Sequence, residues 1–269
     1  MKPITLMAHL VANYPDPSGC LAAAEALVDA GTAYLEVQIP FSDPSADGSS
    51  IMHACAATLE AGFSVDDALH LIDELKGRYP AIPIFVMAYA NLVVTPGVDS
   101  FVHRLHRAGV QGLIVPDLPF DNDEGLAAAC AGCGNPPLVP VPVAAPSMSP
   151  ERLERMASLG RPYLYAALRT GITGQATEIG NSTREFLERC RCGGSKILGG
   201  FGIRSHAQAL QVAEHVHAVV AGSVFVDAIT KAVEAHGIVR NGSFRGSNRV
   251  RDEAIRDLVR ERAVEIIKG

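Results

Sequence analysis

Two acidic side chains, Glu36 and Asp47, occupy the places in this chain that most invite chemistry. Glu36 stands inside the apolar run Leu35-Glu36-Val37-Gln38-Ile39. Side chains alternate along a strand, so Glu36 and Gln38 share one face while Val37 and Ile39 share the other. A carboxylate among Leu, Val and Ile is costly unless it lines a polar or solvated cavity. A structural carboxylate paired inside the fold is an equally weighted reading. Asp47 and Gly48 end the turn-rich stretch that begins at Pro40 and can fold back over the end of that run. Two carboxylates in different surroundings suit general acid–base work, because burial raises one pKa while a solvated partner stays ionised. Taken alone, Asp47-Gly48 reads more simply as an ordinary turn.

A second set of residues suits an anion. Gly199-Gly200-Phe201-Gly202-Ile203 and Ala221-Gly222-Ser223 each close an apolar run. Glycines there let backbone N–H groups approach a phosphate, and a following helix N-terminus adds a favourable dipole. The competing reading is glycine required by tight corners. A third glycine-rich segment, Arg169-Thr170-Gly171-Ile172-Thr173-Gly174, has the composition of a lid.

Positioning these groups requires a regular frame. Apolar runs fall at Ile4–Ala12, Ala33–Ile39, Ile82–Ala90, Gly112–Val115, Leu138–Val143, Tyr163–Ala167, Lys196–Leu198 and Ala218–Ala221, eight candidate strands in all. Between them apolar residues recur at helical spacing, as in Val65, Leu69, Ile72 and Leu75. Ser18, Ser64, Asp99, Asp121, Ser149 and Ser205 stand where helix caps are expected. Strict alternation with strands apolar on both faces predicts a parallel sheet covered by helices, and eight units favour a closed (β/α)8 TIM barrel. No GxGxxG follows the first run, as an open dinucleotide-binding sheet would require. The segment 237–248 reads as a polar loop before a closing amphipathic helix, so residues 1–269 are expected to form a single barrel domain. In such a barrel the loops after the seventh and eighth strands are a frequent phosphate site.

Composition narrows the partners. The 269 residues carry 23 Lys+Arg against 29 Asp+Glu, a net charge of −6, which disfavours a surface built for nucleic-acid phosphates. The densest basic stretch, Arg240 to Arg262, alternates with acids and reads as a solvated helix face. No apolar run is long enough for a membrane span, and Trp is absent, leaving no stacking platform for bases. The six cysteines lack disulfide-scaffold spacing, and the Cys130/Cys133 pair has no second pair to complete a zinc site, so reduced cytoplasmic thiols are expected. His103 with His106 and His215 with His217 read as surface or helix-end histidines rather than metal ligands.

Taken together, these motifs resemble the tryptophan synthase alpha subunit family. The resemblance rests on Pro-Phe-Ser-Asp-Pro-x-Ala-Asp-Gly at Pro40 to Gly48 after Leu35-Glu36, then Tyr89-Ala90-Asn91 and Pro116-Asp117-Leu118-Pro119. Tyr163-x-Tyr165 with Arg169 to Gly174, Gly200-Phe201-Gly202-Ile203 and Gly222-Ser223 complete it in family order, over residues 4 to 236. It implies a lyase that splits indole-3-glycerol phosphate into indole and glyceraldehyde 3-phosphate without metal or organic cofactor. It implies Glu36 as general acid–base, Asp47 as acceptor of the indole N–H, and Tyr165 as an assisting group. Gly174, Phe201, Gly202, Gly222 and Ser223 are implied to hold the phosphate, and Thr173 and Arg169 to belong to the lid, with Thr173 ordering Asp47. The family works with a beta subunit in an alpha2-beta2 assembly, which makes Asp43 and Pro44 contact candidates.

Four positions depart from the family pattern. Gln38 and Asn13 stand where Gly is usual, Leu168 replaces a Ser before the lid, and Ser49 replaces a Pro. Gln38 is expected to project beside Glu36 and either hydrogen-bond that carboxylate or crowd the ligand. Gln38 and Leu168 motivate an alternative, a degenerate alpha-like protein that activates a partner with little catalysis of its own. Another phosphate-binding barrel, an isomerase or synthase, is the third reading; the long Pro40 to Gly48 loop argues against it.

Overall fold

The computed structural model describes residues 4–168, 180–200, 202–236, 238–240, 243–245 and 248–269. Parallel strands β1 (Leu6–Val11), β2 (Tyr34–Gln38), β3 (Ile84–Met87), β4 (Gly112–Ile114) and β5 (Val139–Val141) pair in sequence order. β6 (Val143–Ala144), β7 (Tyr163–Ala167), β8 (Lys196–Gly200) and β9 (Ala218–Ala221) continue the series, and β9 returns to β1. All eight expected runs are present, but the fifth is split. Pro142 lies between β5 and β6 and has no N–H for the ladder, so β5 pairs with β4 while β6 pairs with β7. The Pro142 carbonyl still accepts from Tyr165 N at 2.9 Å. The two ends of the hydrogen-bonded series are therefore one bent strand, and the sheet closes into the predicted (β/α)8 barrel.

Each strand buries both faces. Leu6, Ala8, Leu10, Leu35, Val37, Ile84 and Val86 point outward into the apolar layer beneath the helices. Met7, Phe85, Met87, Tyr163, Tyr165, Leu198 and Val220 fill the barrel interior. At its N-terminal end the interior is plugged by aromatic rings: Tyr34 meets Phe85 and Tyr163 edge-on, and its hydroxyl bonds His217 Nε2 at 2.8 Å. That plug fills the interior at this end, and a cavity opens at the opposite end, where the strands finish.

The helix starts follow local chemistry, with some shifts from expectation. Ser64 forms a capping box with Asp67, and Ser149 and Ser205 accept from Arg152 N and Gln208 N. Asp16, not Ser18, caps helix Pro17–Asp29, and Gly97 rather than Asp99 begins helix Val98–Arg107. Asp121 instead pairs with Arg152 and Arg155. Asn13, in place of glycine, sits at φ +58°, a left-handed conformation that asparagine tolerates better than most residues. Ser49 is the first residue of helix Ser49–Glu60, a position where proline and serine are both compatible with the helix.

Two readings near the C-terminus need correction. The segment expected as loop contains a short antiparallel pair, Ile238–Arg240 with Ser243–Arg245. The expected closing helix is present at Asn248–Lys268 and packs on Pro17–Asp29 and Ser223–His236. Its basic face is not wholly solvated, because Arg251 is fully buried and pairs with Asp16 and Asp252. The cap of one helix is thereby tied to the helix that covers it. Removing one partner of a buried pair strands the other, although Asp16 is one-third exposed and partly rehydrates. Arg251→Ala is expected to lower unfolding stability by about 2 kcal/mol in urea titration, against near neutrality for the exposed Arg249→Ala.

Candidate active site

At the C-terminal ends of the strands, a cavity is lined by His9, Glu36, Asp47, Tyr165, Gly202, Gly222 and Ser223, with Ile51, Met87, Ile114, Val143 and Val220 as apolar walls. Glu36 reaches it from the middle of β2 and is almost fully buried. Register pairs Glu36 with His9 on β1, and the two side chains meet at 3.3 Å between Nδ1 and Oε2. His9 escaped the sequence reading. Its signal was the alternation of Leu6-Met7-Ala8-His9-Leu10-Val11, which puts one ionisable residue on the interior face.

Asp47 is not an exposed turn residue. Ser45 N bonds Asp43 O at 2.8 Å and Asp47 N bonds Pro44 O at 3.0 Å, folding the stretch back over the barrel. Gly48 then begins helix Ser49–Glu60. This turns the Asp47 side chain inward, where only 4% of the residue is exposed. Its Oδ2 accepts from Gln38 Nε2 at 2.7 Å and from Tyr89 O–H at 2.8 Å. The Tyr89 oxygen in turn accepts from Ala46 N at 3.0 Å, and Phe41 stacks on the Tyr89 ring. The loop is thus pinned at both of its ends.

Gln38 does share the cavity face with Glu36, but its amide serves Asp47 rather than the Glu36 carboxylate. It positions the second acid from below. Leu168 points away from the cavity into the apolar layer beneath the helices, with its N–H on Gly200 O, so it crowds no ligand. Of the two expected contact residues, Asp43 is exposed and Pro44 is buried.

Burial pushes the Asp47 carboxyl above the usual aspartate range, and the nearby Glu36 charge adds to this. His9, Tyr89 and Gln38 act the other way by favouring the ionised form. Burial also lowers the affinity of His9 for a proton, but Glu36, Asp47 and Gln38 together outweigh it and raise its pKa overall. Burial, with the charges of Glu36 and Asp47, pushes the Tyr165 phenol well above its ordinary value, so it stays a neutral hydroxyl. Gln38→Leu keeps the volume and deletes one donor to the ionised form. The pH at which Asp47 ionises is therefore expected to rise further, as followed by the carboxyl carbon resonance.

Of the residues expected to bind an anion, Gly202, Gly222 and Ser223 line the same cavity as Asp47. Gly202 takes a positive φ of 83°, which favours glycine. The Gly222 carbonyl accepts the first bonds of helix Ser223–His236, from Phe225 N and Val226 N. The leading N–H groups of such a helix have no acceptor within it and are available to a ligand. Arg204, which sequence reading passed over, donates to Ser223 Oγ at 3.1 Å and pairs with Asp227, placing a cation at this end. Gly200 is needed for close packing, since a Cβ there would stand 2.2 Å from the Tyr165 oxygen. Arg169, Thr173, Gly174 and Phe201 lie outside the described residues.

Among the described residues no group of three His, Cys, Asp or Glu side chains is arranged to hold a metal ion. Cys130 and Cys133 are buried, with Cys133 Sγ donating to the Cys130 carbonyl. His103 and His106 contact backbone carbonyls of Asp99 and Pro136, while His215 meets Glu188. No helix among the described residues is long and apolar enough to cross a membrane.

The chain is similar in sequence and fold to known proteins. Residues 2–246 match the family model described as tryptophan synthase alpha chain. The tryptophan synthase alpha chain of Helicobacter hepaticus is 34% identical over 236 residues, covering 84% of this chain and 86% of its own. That of Vibrio cholerae is 36% identical over 223 residues, covering 82% and 81%. Among solved structures, Mycobacterium tuberculosis tryptophan synthase superposes with a TM-score of 0.81 at 32% identity, covering 99% of this chain and 94% of that one. A Pyrococcus furiosus chain, from a study of mutual activation in the tryptophan synthase α2β2 complex, gives 0.83 at 26% identity, covering 98% of each.

Proposed function

The chain belongs to the tryptophan synthase alpha chain family, and from that premise we propose that Glu36, Asp47 and Tyr165 cleave indole-3-glycerol phosphate to indole and glyceraldehyde 3-phosphate. It is a carbon–carbon lyase of tryptophan biosynthesis and works with a beta subunit in an α2β2 assembly. The observation that carries the residue assignment is the convergence of two buried carboxylates, one from β2 and one from its overhanging loop, opposite a glycine-rich helix start.

The indole ring lies among Met87, Ile114, Val143 and Val220, where apolar walls exclude water. Its phosphate is held at Gly202, Gly222 and Ser223, joined by Gly174 and Phe201. Glu36 delivers a proton to the ring carbon that bears the side chain, and the ring becomes positively charged. Asp47 accepts from the ring N–H and opposes that charge as it develops; a fixed anion in a dry site stabilises it far more than water would. The bond from ring carbon to side chain then breaks, its electron pair returning to the ring. The glycerol hydroxyl on the departing carbon loses its proton to Glu36 and becomes the aldehyde. One proton enters and one leaves, so Glu36 ends as it began. Tyr165, a neutral hydroxyl, assists as a donor beside the two carboxylates.

On this reading Thr173 and Arg169, from the segment after β7, act as the lid, and Thr173 orders Asp47. Asp43 faces the beta subunit. Residues 1–269 fold as one domain and the protein is cytoplasmic. Cleavage in deuterium oxide is expected to give equimolar products, with deuterium on the ring carbon that lost its side chain. Unequal products, or unlabelled indole, contradict the protonation step.

A further inference from the structure

His9 has no part in the scheme above, yet the ring is 6% exposed and its Nε2 is buried with no hydrogen-bond partner among the described residues. The same residue lines the cavity. A buried ring nitrogen without a partner is unfavourable unless a ligand meets it. The two edges of the imidazole face different parts of the site. Nδ1 is 3.3 Å from Glu36 Oε2. On the other edge, Cδ2, which is bonded to Nε2, packs so closely on the last loop that a Cβ on Gly222 would stand 3.0 Å from it.

His9 therefore bridges the proposed acid–base carboxylate and the proposed phosphate loop. A substrate with its reacting carbon at Glu36 and its phosphate at Gly222 and Ser223 must span that gap with its three-carbon arm. The geometry points to His9 as a substrate-contacting residue, whose Nε2–H donates to an oxygen of the phosphorylated arm while Nδ1 remains with Glu36. The inference rests on the reading above and adds a binding group to it.

The charges around the ring suit that role. Glu36 from β2, Asp47 from the following loop and Tyr165 from β7 face it, and Gln38 lies beside it. Their net effect favours the imidazolium, whose two N–H groups serve carboxylate and ligand together. Glycine at 222 suits this contact, because a Cβ there would stand 3.0 Å from the ring and press on it.

The test is binding of glycerol 3-phosphate, with indole as a second probe, to the whole chain and to His9→Phe and His9→Gln. Phenylalanine fills the same volume without a donor, and glutamine restores a neutral one. His9→Phe is expected to weaken glycerol 3-phosphate about 10-fold or more while indole stays within about threefold, and His9→Gln to recover part of the loss. The wild-type affinity is also expected to fall as pH rises through the His9 ionisation, relative to His9→Phe at each pH. Unchanged glycerol 3-phosphate affinity in His9→Phe overturns the inference, as does an equal loss of both ligands, which marks packing alone. Should the wild type release no indole from indole-3-glycerol phosphate while His9→Phe still loses glycerol 3-phosphate, the substrate reading fails and His9 stands as a phosphate-ester ligand.

Discussion

Replacing Glu36 by glutamine is expected to lower the rate of indole release by about 10³-fold or more, within the range typical of a lost general acid–base. Glutamine has nearly the same shape but carries no charge and can neither deliver nor take up the proton. Indole affinity is accordingly expected to change by less than about threefold, so the loss appears in kcat rather than KM. The variant also deprives His9 of its cross-strand anion, which makes the imidazole easier to deprotonate. That side effect moves the binding of glycerol 3-phosphate, and for this reason indole is the proper binding control. Steady-state assays of the wild type and the Glu36→Gln variant at one pH, with fluorescence titration by indole, check the split. A glutamine variant that turns over at the wild-type rate removes Glu36 from the mechanism.

Asp47→Asn is the second large effect, about 10²- to 10³-fold in kcat, comparable to removing one preorganised charge-stabilising group. Asparagine can still accept from Gln38 and Tyr89, so the loop stays anchored and KM moves little. The loss arises because a neutral amide cannot oppose the positive charge of the protonated ring. The pH dependence follows from the same residue. Burial places Asp47 ionisation above the ordinary aspartate range, so the acid limb of kcat is expected above that range as well. The stability effect has the opposite sense. A carboxyl with a raised folded-state pKa binds a proton more readily when folded. Its contribution is present at low pH and is lost as pH rises through that folded value.

Much of this arrangement was legible in the chain itself. The alternation of apolar runs with helical spacing gave the barrel, because strands apolar on both faces need helices outside and packing within. The interior position of Glu36 followed from alternation alone, and the glycines after β8 and β9 line the same cavity. Pairing across strands was harder to read. His9 meets Glu36 only because β1 and β2 take one register, a relation between residues far apart in sequence. Gln38 is a similar case: alternation placed it beside Glu36, but the fold of the loop decided that its amide bonds Asp47. Arg251 reads as one cation among many on a polar helix, and it is buried where helix Pro17–Asp29 begins, against its cap Asp16. Pro142 interrupts an otherwise continuous apolar run for a reason local to proline, the missing N–H.

The family match and the site geometry also bear on the departures that suggested a degenerate protein. Leu168 faces the outer apolar layer, and Gln38 orients an acid rather than occluding the cavity. Neither residue blocks a ring from reaching Glu36.

The most direct measurement is indole formation from indole-3-glycerol phosphate by the purified chain, alone and with a beta subunit. Indole is expected from the chain alone, at a faster rate with the partner present. A chain that accelerates the partner's own reaction while releasing no indole under either condition contradicts this expectation.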